Sequence, residues 1–262
     1  MKVMIAGIKD ISLIDVCGEP SLTIWFCGCN LKCPYCHNWR IAEAHVSTCY
    51  LAELSEIYSA IESASSIVDY IQVTGGEPTQ QAAQLQQILE FAKSVGIRTS
   101  VNTNCSKPSV IELLLKRELV DHIATDVKVP PDLMTGLPRS EALRYWRSFT
   151  NTLRIIKEYD VILELRIPVL KYNAMSPELV FSSRKYLMEA LSIIETVNKV
   201  HLVLNPILGP PKIDSVRNPE WCSKYAIPGV HDIELVKTLV KSLCSRADVR
   251  LAQHSSLLPL GT

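Results

Sequence analysis

The segment SLTIWFCGCNLKCPYC, residues 21–36, places three closely spaced cysteines directly after an apolar stretch. Its first six residues are typical of a buried β-strand, and the spacing that follows is Cys29-x3-Cys33-x2-Cys36. Three thiolates on one short loop can hold a compact metal centre. The four irons of a [4Fe–4S] cluster each need an outer ligand, so three cysteines leave one iron open. An open coordination position is typical of a reactive metal site rather than a structural one.

Spacing alone leaves two alternatives open for this loop. Cys27 is a fourth candidate ligand because strand residues two apart share a face, although its apolar neighbours favour a buried structural thiol. Structural zinc is the alternative metal, but such sites usually combine separated Cys-x2-Cys pairs, and the sequence has no second pair. The crowding of cysteines within residues 27–36 favours a metal over disulfides in a reducing cytosol. The distant Cys49, Cys222 and Cys244 are interpreted as buried thiols.

Apolar strands alternate with helical segments along the rest of the chain. This alternation predicts parallel βαβ units, which suit either a partial (βα) barrel or an open doubly wound sheet. The predicted strands cover residues 21–26, 70–74, 97–101, 122–127, 162–169 and 200–204, and the predicted helices cover 50–63, 80–95, 109–118, 141–159, 177–195 and 230–245. The proline-rich residues 205–228 are interpreted as a loop extension.

Charge and hydropathy exclude some classes of function. Lys+Arg and Asp+Glu both number 27, so no basic excess indicates a nucleic-acid partner. No apolar run approaches the roughly 18 residues that a membrane span needs. Lys9 and Asp10 interrupt the N-terminal stretch, which therefore does not resemble a signal peptide. We expect a cytoplasmic protein with no membrane partner.

Polar side chains and glycines follow the predicted strands at the point where each strand ends. In parallel barrels, ligand sites collect at the carboxyl ends of the strands. We therefore expect one site that includes the cysteine loop and these residues. The candidates are Gly75, Gly76 and Glu77 after the second strand, Asn102 and Asn104 after the third, Asp126 and Lys128 at the fourth, Arg166 in the fifth, and Asn205 at the sixth.

The cysteine loop, with Tyr35 before the third cysteine, resembles the signature of the radical S-adenosylmethionine (SAM) enzymes. The continuation Cys36-His37-Asn38 is similar to that of the glycyl-radical activating enzymes. The segment 74–78, Thr-Gly-Gly-Glu-Pro, resembles their SAM-binding motif, while Asn102-Thr-Asn104 and Asp126-Val-Lys128 are similar to their Asp-Thr-Asn and Asp-x-Lys. The resemblance covers about residues 5 to 210.

The resemblance implies a partial (βα)6 TIM-like barrel, an α/β fold of parallel strands, as the core of a single domain. That domain spans residues 1–262, with the core at about 20–205 and a short C-terminal extension at 206–262. The implied cofactors are a [4Fe–4S] cluster and SAM. Cys29, Cys33 and Cys36 are the implied ligands and catalytic residues, and Glu77 is implied to hold the SAM ammonium group. The implied residues around SAM are Tyr35, Gly75, Gly76, Glu77, Asn102, Asn104, Asp126, Lys128 and Arg166.

The implied reaction begins with one electron from ferredoxin or flavodoxin. The cluster then splits SAM reductively, and the resulting 5′-deoxyadenosyl radical removes a hydrogen atom from the substrate. The leading hypothesis is an oxidoreductase of the activating type, whose partner is a glycyl radical enzyme such as anaerobic ribonucleotide reductase. The alternatives are an enzyme acting on a small molecule or RNA nucleotide, resembling the carboxy-deazaguanine synthases, and a non-enzymatic zinc module.

The sequence departs from the activating enzymes at four places. Cys17 replaces a proline, and Cys105 replaces a glycine. Asn102 replaces an aspartate that holds a monovalent cation in some members. The segment around Asn205 lacks the histidine found in activators of pyruvate formate-lyase. The residues implied to hold the cluster therefore match the family more closely than the residues implied to lie near the substrate.

Overall fold

The computed structural model describes residues 1–16, 18–213, 215–244 and 249–252. Strand β1 (Lys2–Val16) pairs antiparallel with β2 (Glu19–Phe26), and β3 (Tyr50–Glu53) pairs antiparallel with the start of β1. Strand β1 was not predicted from the sequence. The predicted helix start at Tyr50 was wrong, because residues 50–53 form an edge strand and the helix, α2 (Leu54–Ala64), starts at Leu54.

The parallel strands lie side by side in the order in which they occur along the chain. The sheet order is β3-β1-β2-β4-β5-β6-β7-β8-β9, and every pairing from β2 onward is parallel. The predicted partial barrel of six strands is therefore confirmed, with a short seventh parallel strand added at its edge. The strands after β3 are β4 (Tyr70–Gly75), β5 (Arg98–Asn102), β6 (His122–Asp126), β7 (Ile162–Val169), β8 (Val200–Pro206) and β9 (Val249–Leu251).

Helices connect the parallel strands and cover the outer face of the sheet. Residues 205–228 were predicted to form a loop, but they also contain a short helix. The predicted end of the last helix, at Ser245, lies outside the described residues. The helices are α1 (Trp39–Ala42), α2 (Leu54–Ala64), α3 (Ala82–Ser94), α4 (Pro108–Lys116), α5 (Pro131–Met134), α6 (Arg139–Ile156), α7 (Pro177–Ile194), α8 (Pro219–Tyr225) and α9 (Val230–Leu243), with 3₁₀ turns at Pro78–Gln81 and Tyr172–Ala174.

The two faces of the barrel strands differ in chemistry. Successive strand residues point to opposite faces. Apolar residues such as Ile71, Val101 and Leu163 pack in the core beneath the helices. The alternate positions, such as Gln72 and Ser100, are polar and buried on the inner side of the barrel. The barrel interior is therefore lined by hydrogen-bonding groups, which the sequence analysis noted only at the strand ends.

In the part of the chain that the structure describes, no helix is long and apolar enough to cross a bilayer.

Candidate active site: a cavity at the carboxyl end of the parallel strands

A cavity of about 160 Å³ opens where the parallel strands end. The structure brings most of the sequence-predicted residues to its wall. Tyr35, Asn102 and Asn104 line it together with the cysteine loop, whereas Arg166 does not. The full lining is Cys29, Leu31, Cys33, Tyr35, Cys36, Ala42, Thr74, Gly75, Gly76, Asn102, Thr103, Asn104, Asp126, Lys128 and Arg217.

The three cysteines of the loop are free thiols on this wall. Cys33 is buried, and Cys29 and Cys36 are partly buried. The sulfur of Cys29 accepts hydrogen bonds from the Leu31 N–H at 3.4 Å and the Asn104 amide at 3.9 Å. Among the described residues, no group of His, Cys, Asp or Glu converges as ligands of one metal ion. Three separate thiols on one cavity wall, with N–H groups directed at sulfur, fit a cluster in which each thiolate binds its own iron.

Burial determines the protonation of these thiols. It raises the pKa of Cys29 to about 11 and that of Cys33 to about 11, and it also raises the pKa of Cys36. The nearby cations Lys128 and Arg217 oppose this rise without overcoming it. Because the thiolate is the metal ligand, assembly of a metal centre here releases protons.

Cys27 is not a fourth member of this group. Its sulfur forms a disulfide with Cys49, and the two Cα atoms lie 6.2 Å apart. The interpretation of both as buried thiols was therefore wrong. The bridge ties the end of β2 to the segment before β3, so it closes the stretch of chain that carries the three free cysteines. Cys17 lies outside the described residues.

Gly75 and Gly76 let two loops approach closely. A Cβ atom on Gly75, whose φ is +117°, would lie 2.1 Å from the Phe26 carbonyl oxygen, and one on Gly76 would lie 2.2 Å from that of Gly28. The Gly76 N–H donates to the Phe26 oxygen at 2.8 Å. Only glycine fits at either position. The backbone of this turn therefore forms the cavity wall beside the cysteine loop.

Glu77 links two turns beside the cavity. Its carboxylate is fully buried and accepts from the Thr79 N–H, the Thr79 and Thr103 hydroxyls, and the Asn104 N–H, at 2.6–3.0 Å. Three of these bonds reach one carboxylate oxygen, and the Asn104 N–H reaches the other. Glu77 therefore joins the turn after β4 to the turn after β5, and its expected contact with an ammonium group stays a prediction.

The buried Lys128 and the partly buried Asp126 form an ion pair in the cavity wall, with 2.9 Å between Nζ and the carboxylate. Burial alone would raise the pKa of Asp126, but the charges of Lys128 and Arg166 lower it. Burial alone would lower the pKa of Lys128, but the negative charge of Asp126 raises the Lys128 pKa well above its ordinary value. Both side chains are therefore charged at neutral pH, and the wall offers a cation and an anion side by side.

Arg166 is the register partner of Asp126 on the neighbouring strand, but it does not line the cavity. Its Nε donates to Glu164 at 2.6 Å, and Glu164 in turn lies 3.7 Å from the His122 ring. Sequence analysis missed Glu164 and His122 as partners, although both sit at alternate strand positions facing inward with Asp126. Arg166 therefore influences the cavity through Asp126, because its positive charge helps to lower the pKa of that carboxylate.

Arg217 is the functional candidate that sequence analysis missed. It lies in the extension between β8 and α8, far from the cysteines in sequence, and it lines the cavity with them. No spacing or motif connects Arg217 to residues 29–36. Only the fold brings them together.

The sequence profile of the radical SAM superfamily matches residues 23–178. This match covers more than half of the chain and contains the cysteine loop, the glycine turn and the Asp126–Lys128 pair. The chain belongs to the radical SAM superfamily.

Two relatives and one solved structure indicate the range of that similarity. The chain is 39% identical, over 128 residues, to a Methanocaldococcus jannaschii protein with the provisional name glycyl-radical enzyme activating enzyme, covering 49% of this chain and 51% of that protein. It is 30% identical to the Methanopyrus kandleri 7-carboxy-7-deazaguanine synthase over 130 residues, or 43% of this chain and 51% of the relative. The chain thus spans about half the length of these curated relatives.

The solved structure is a radical SAM methyltransferase from Sphaerobacter thermophilus. It superposes with a TM-score of 0.55 at 15% identity, covering 90% of this chain and 68% of that one. At this identity the likeness shows a shared fold and nothing about the substrate.

Proposed function

We propose that this radical SAM protein holds a [4Fe–4S] cluster on Cys29, Cys33 and Cys36 and cleaves SAM reductively. One observation carries the proposal: the three free thiols, the Gly75–Gly76 backbone and the Asp126–Lys128 pair line the same cavity. When bound, the cluster and SAM supply a radical for hydrogen-atom abstraction. The fit of the site is supported by the donor set, since three thiolates leave one iron position for a ligand.

The protein's own groups have distinct tasks in this proposal. The Asp126 carboxylate and the Lys128 ammonium group can bind the oppositely charged amino and carboxylate groups of a methionine moiety. The glycine turn gives a ligand access to backbone polar groups, and Glu77 holds that turn in place. Asn104 fixes the loop near Cys29 through its amide. Burial of the thiols keeps the site dry, which a radical reaction requires.

Anaerobic reconstitution with iron and sulfide, followed by an assay for 5′-deoxyadenosine, tests the proposal. Cys33→Ala should lose the product and the cluster absorbance. Cys222→Ala is the matched control, because Cys222 is an equally buried thiol away from the cavity. Full product formation by Cys33→Ala, or zinc in place of iron in the wild-type protein, would refute the assigned chemistry.

For the target of the radical, we propose a glycyl radical enzyme, with anaerobic ribonucleotide reductase as the leading partner. The support is the 39% identity to the Methanocaldococcus jannaschii protein. Ferredoxin or flavodoxin is the proposed electron donor, and the cytoplasmic location stays a prediction. Reduced protein, SAM and a candidate partner from the same organism should give a glycyl doublet in an EPR spectrum. The partner with its radical glycine changed to alanine is the control.

Modification of a small molecule or RNA nucleotide is the second candidate. The 30% identity to a 7-carboxy-7-deazaguanine synthase favours it. In that case 5′-deoxyadenosine forms without a glycyl doublet. Mass spectrometry of metabolites and nucleosides from cells with and without the protein should then reveal a product that depends on it. A doublet with any partner would decide against this candidate.

A further inference from the structure

Arg217 lies beside the cysteine loop although it comes from the C-terminal extension. It follows β8 in sequence and lies outside residues 23–178, which match the superfamily. Its side chain is 14% exposed and lines the cavity that holds the three thiols. Among the residues that the structure describes, Arg217 and Lys128 are the two basic side chains in that wall.

Backbone and side-chain contacts hold Arg217 against the loop at both ends. The Arg217 N–H donates to the Cys36 carbonyl at 3.2 Å, and its guanidinium donates to the Leu31 carbonyl at 3.4 Å. The next residue, Asn218, donates its N–H to the Pro34 carbonyl at 2.9 Å. The extension is thus fastened across residues 31–36. The two backbone bonds hold the chain at Arg217 against the loop, and the guanidinium cannot leave the loop without breaking its bond to Leu31.

The charge of Arg217 is only partly neutralised. Its Nε lies 3.3 Å from a Glu43 carboxylate oxygen, as an ion pair without an aligned hydrogen bond. Glu43 is 50% exposed, so water screens its charge far more than that of Arg217. Although burial raises the pKa of Cys36, Arg217 is the largest opposing influence and favours negative charge on that sulfur. A guanidinium stays charged at every accessible pH.

We propose that Arg217 is a positioning residue whose fixed positive charge raises the reduction potential of the cluster held by Cys29, Cys33 and Cys36. Reduction adds one electron, and a cation held nearby in a site of low dielectric stabilises the added charge. Net charge and solvent exposure around a cluster are known determinants of its potential. The inference rests on the proposed function, because it requires the cluster. It assigns the C-terminal extension the task of making that cluster reducible.

An EPR-monitored redox titration of the reconstituted protein without SAM tests this directly. Arg217→Gln should lower the reduction equilibrium constant roughly tenfold, which is about 59 mV for one electron. Arg217→Lys keeps the charge and should restore most of the wild-type potential. Arg40→Gln is the matched control. It removes the same charge from an exposed side chain four residues after Cys36, where solvent screens it.

A second variant decides the question if Arg217→Gln fails to hold a cluster. Glu43→Gln removes the partly exposed counter-ion and leaves Arg217 in place, so the potential should rise, by about threefold in the reduction equilibrium. An unchanged or lowered potential in Glu43→Gln overturns the proposal, as does a wild-type potential in Arg217→Gln. Absence of an iron–sulfur spectrum in the wild-type protein would instead count against the proposed function.

Discussion

Two layers of polar side chains inside the barrel differ in whether their hydrogen-bonding groups have partners within the protein. The lower layer comprises the buried Tyr70, Ser100, His122 and Glu164, with the exposed Arg98 at its edge, away from the cavity. Within it, Ser100 contacts the His122 ring at 2.8 Å, and the Arg98 guanidinium donates to the Tyr70 hydroxyl at 3.2 Å. Glu164 joins this layer to Arg166. Each of these groups therefore has a protein partner.

The upper layer comprises the cavity wall around the three thiols, together with Tyr145 of α6. The hydroxyls of Tyr35 and Tyr145 are buried without a hydrogen-bond partner among the described residues. Burial raises the pKa of both phenols well above the ordinary value, and Lys128 lies near enough to oppose the rise. Buried polar groups are normally paired because desolvation is costly. The polar groups of the lower layer are thus satisfied within the protein, whereas these two hydroxyls of the upper layer are not satisfied by any described residue.

The largest expected effect comes from removing the close approach that shapes the upper layer. Gly75→Ala should destabilise the fold by more than about 5 kcal/mol, because the new methyl group collides with backbone. Gly96→Ala, at a φ of +82° with open space around it, should cost only about 1–2 kcal/mol. Urea unfolding measures both. Equal costs would show that the approach of Gly75 to Phe26 does not shape the site.

Breaking the ion pair of the upper layer should have the next largest effect. Lys128→Met leaves the partly buried Asp126 with only Arg166 nearby, and the loss should cost about 3 kcal/mol, at the lower end of the range for a buried pair. Formation of 5′-deoxyadenosine should fall with it. Lys199→Met removes an exposed pair with Asp160 and should change stability and product little. Unchanged product in a folded Lys128→Met variant would remove this pair from the site.

Acid should weaken the lower layer by protonating Glu164. Burial alone would raise its pKa, but His122 and Arg166 lower it to about 2 from an unperturbed 4.5. A depressed pKa means that the ionised form stabilises the fold, so this contribution is present above pH 4.5 and is lost as the pH falls toward 2. The shift corresponds to about 3 kcal/mol.

Glu164→Gln is the variant that isolates this contribution. It should be less stable than the wild-type protein by about 3 kcal/mol near neutral pH, and the difference should shrink as the pH falls below 4.5. Urea titrations at pH 7 and pH 3 give the two differences. A pH-independent gap between the two proteins would mean that Glu164 does not titrate as a paired carboxylate.

The smallest expected effects on stability come from removing two tyrosine hydroxyls, one from each layer. Tyr70→Phe removes a bonded hydroxyl of the lower layer and should cost about 1 kcal/mol. Tyr145→Phe removes an unpartnered hydroxyl and should leave stability unchanged or slightly raised. If the hydroxyl serves a ligand, Tyr145→Phe should still weaken SAM binding to the reconstituted protein in a calorimetric titration. A loss of stability equal to that of Tyr70→Phe would abolish the distinction between the layers.

The amino-acid sequence by itself determined the alternation of strands and helices, the parallel βαβ units and the cysteine loop, whereas the choice of a barrel over an open sheet came from the resemblance to the radical SAM enzymes. These features depend on local patterns: apolar runs of strand length, helical spacing, and thiols a few residues apart. The edge strands were missed or misread. Residues 50–53 lead directly into a helix, and only pairing with β1 makes them a strand.

Tertiary structure decided which of the polar residues share a site. It paired Arg166 with Glu164, linked Glu77 to the turn after β5, joined Cys27 to Cys49, and brought Arg217 to the thiols from 181 residues beyond Cys36. The physical reason is that hydrogen bonds and charge pairs depend on distances of a few ångströms. Sequence spacing sets such distances only within a single loop or helix turn, as it does for Cys29, Cys33 and Cys36.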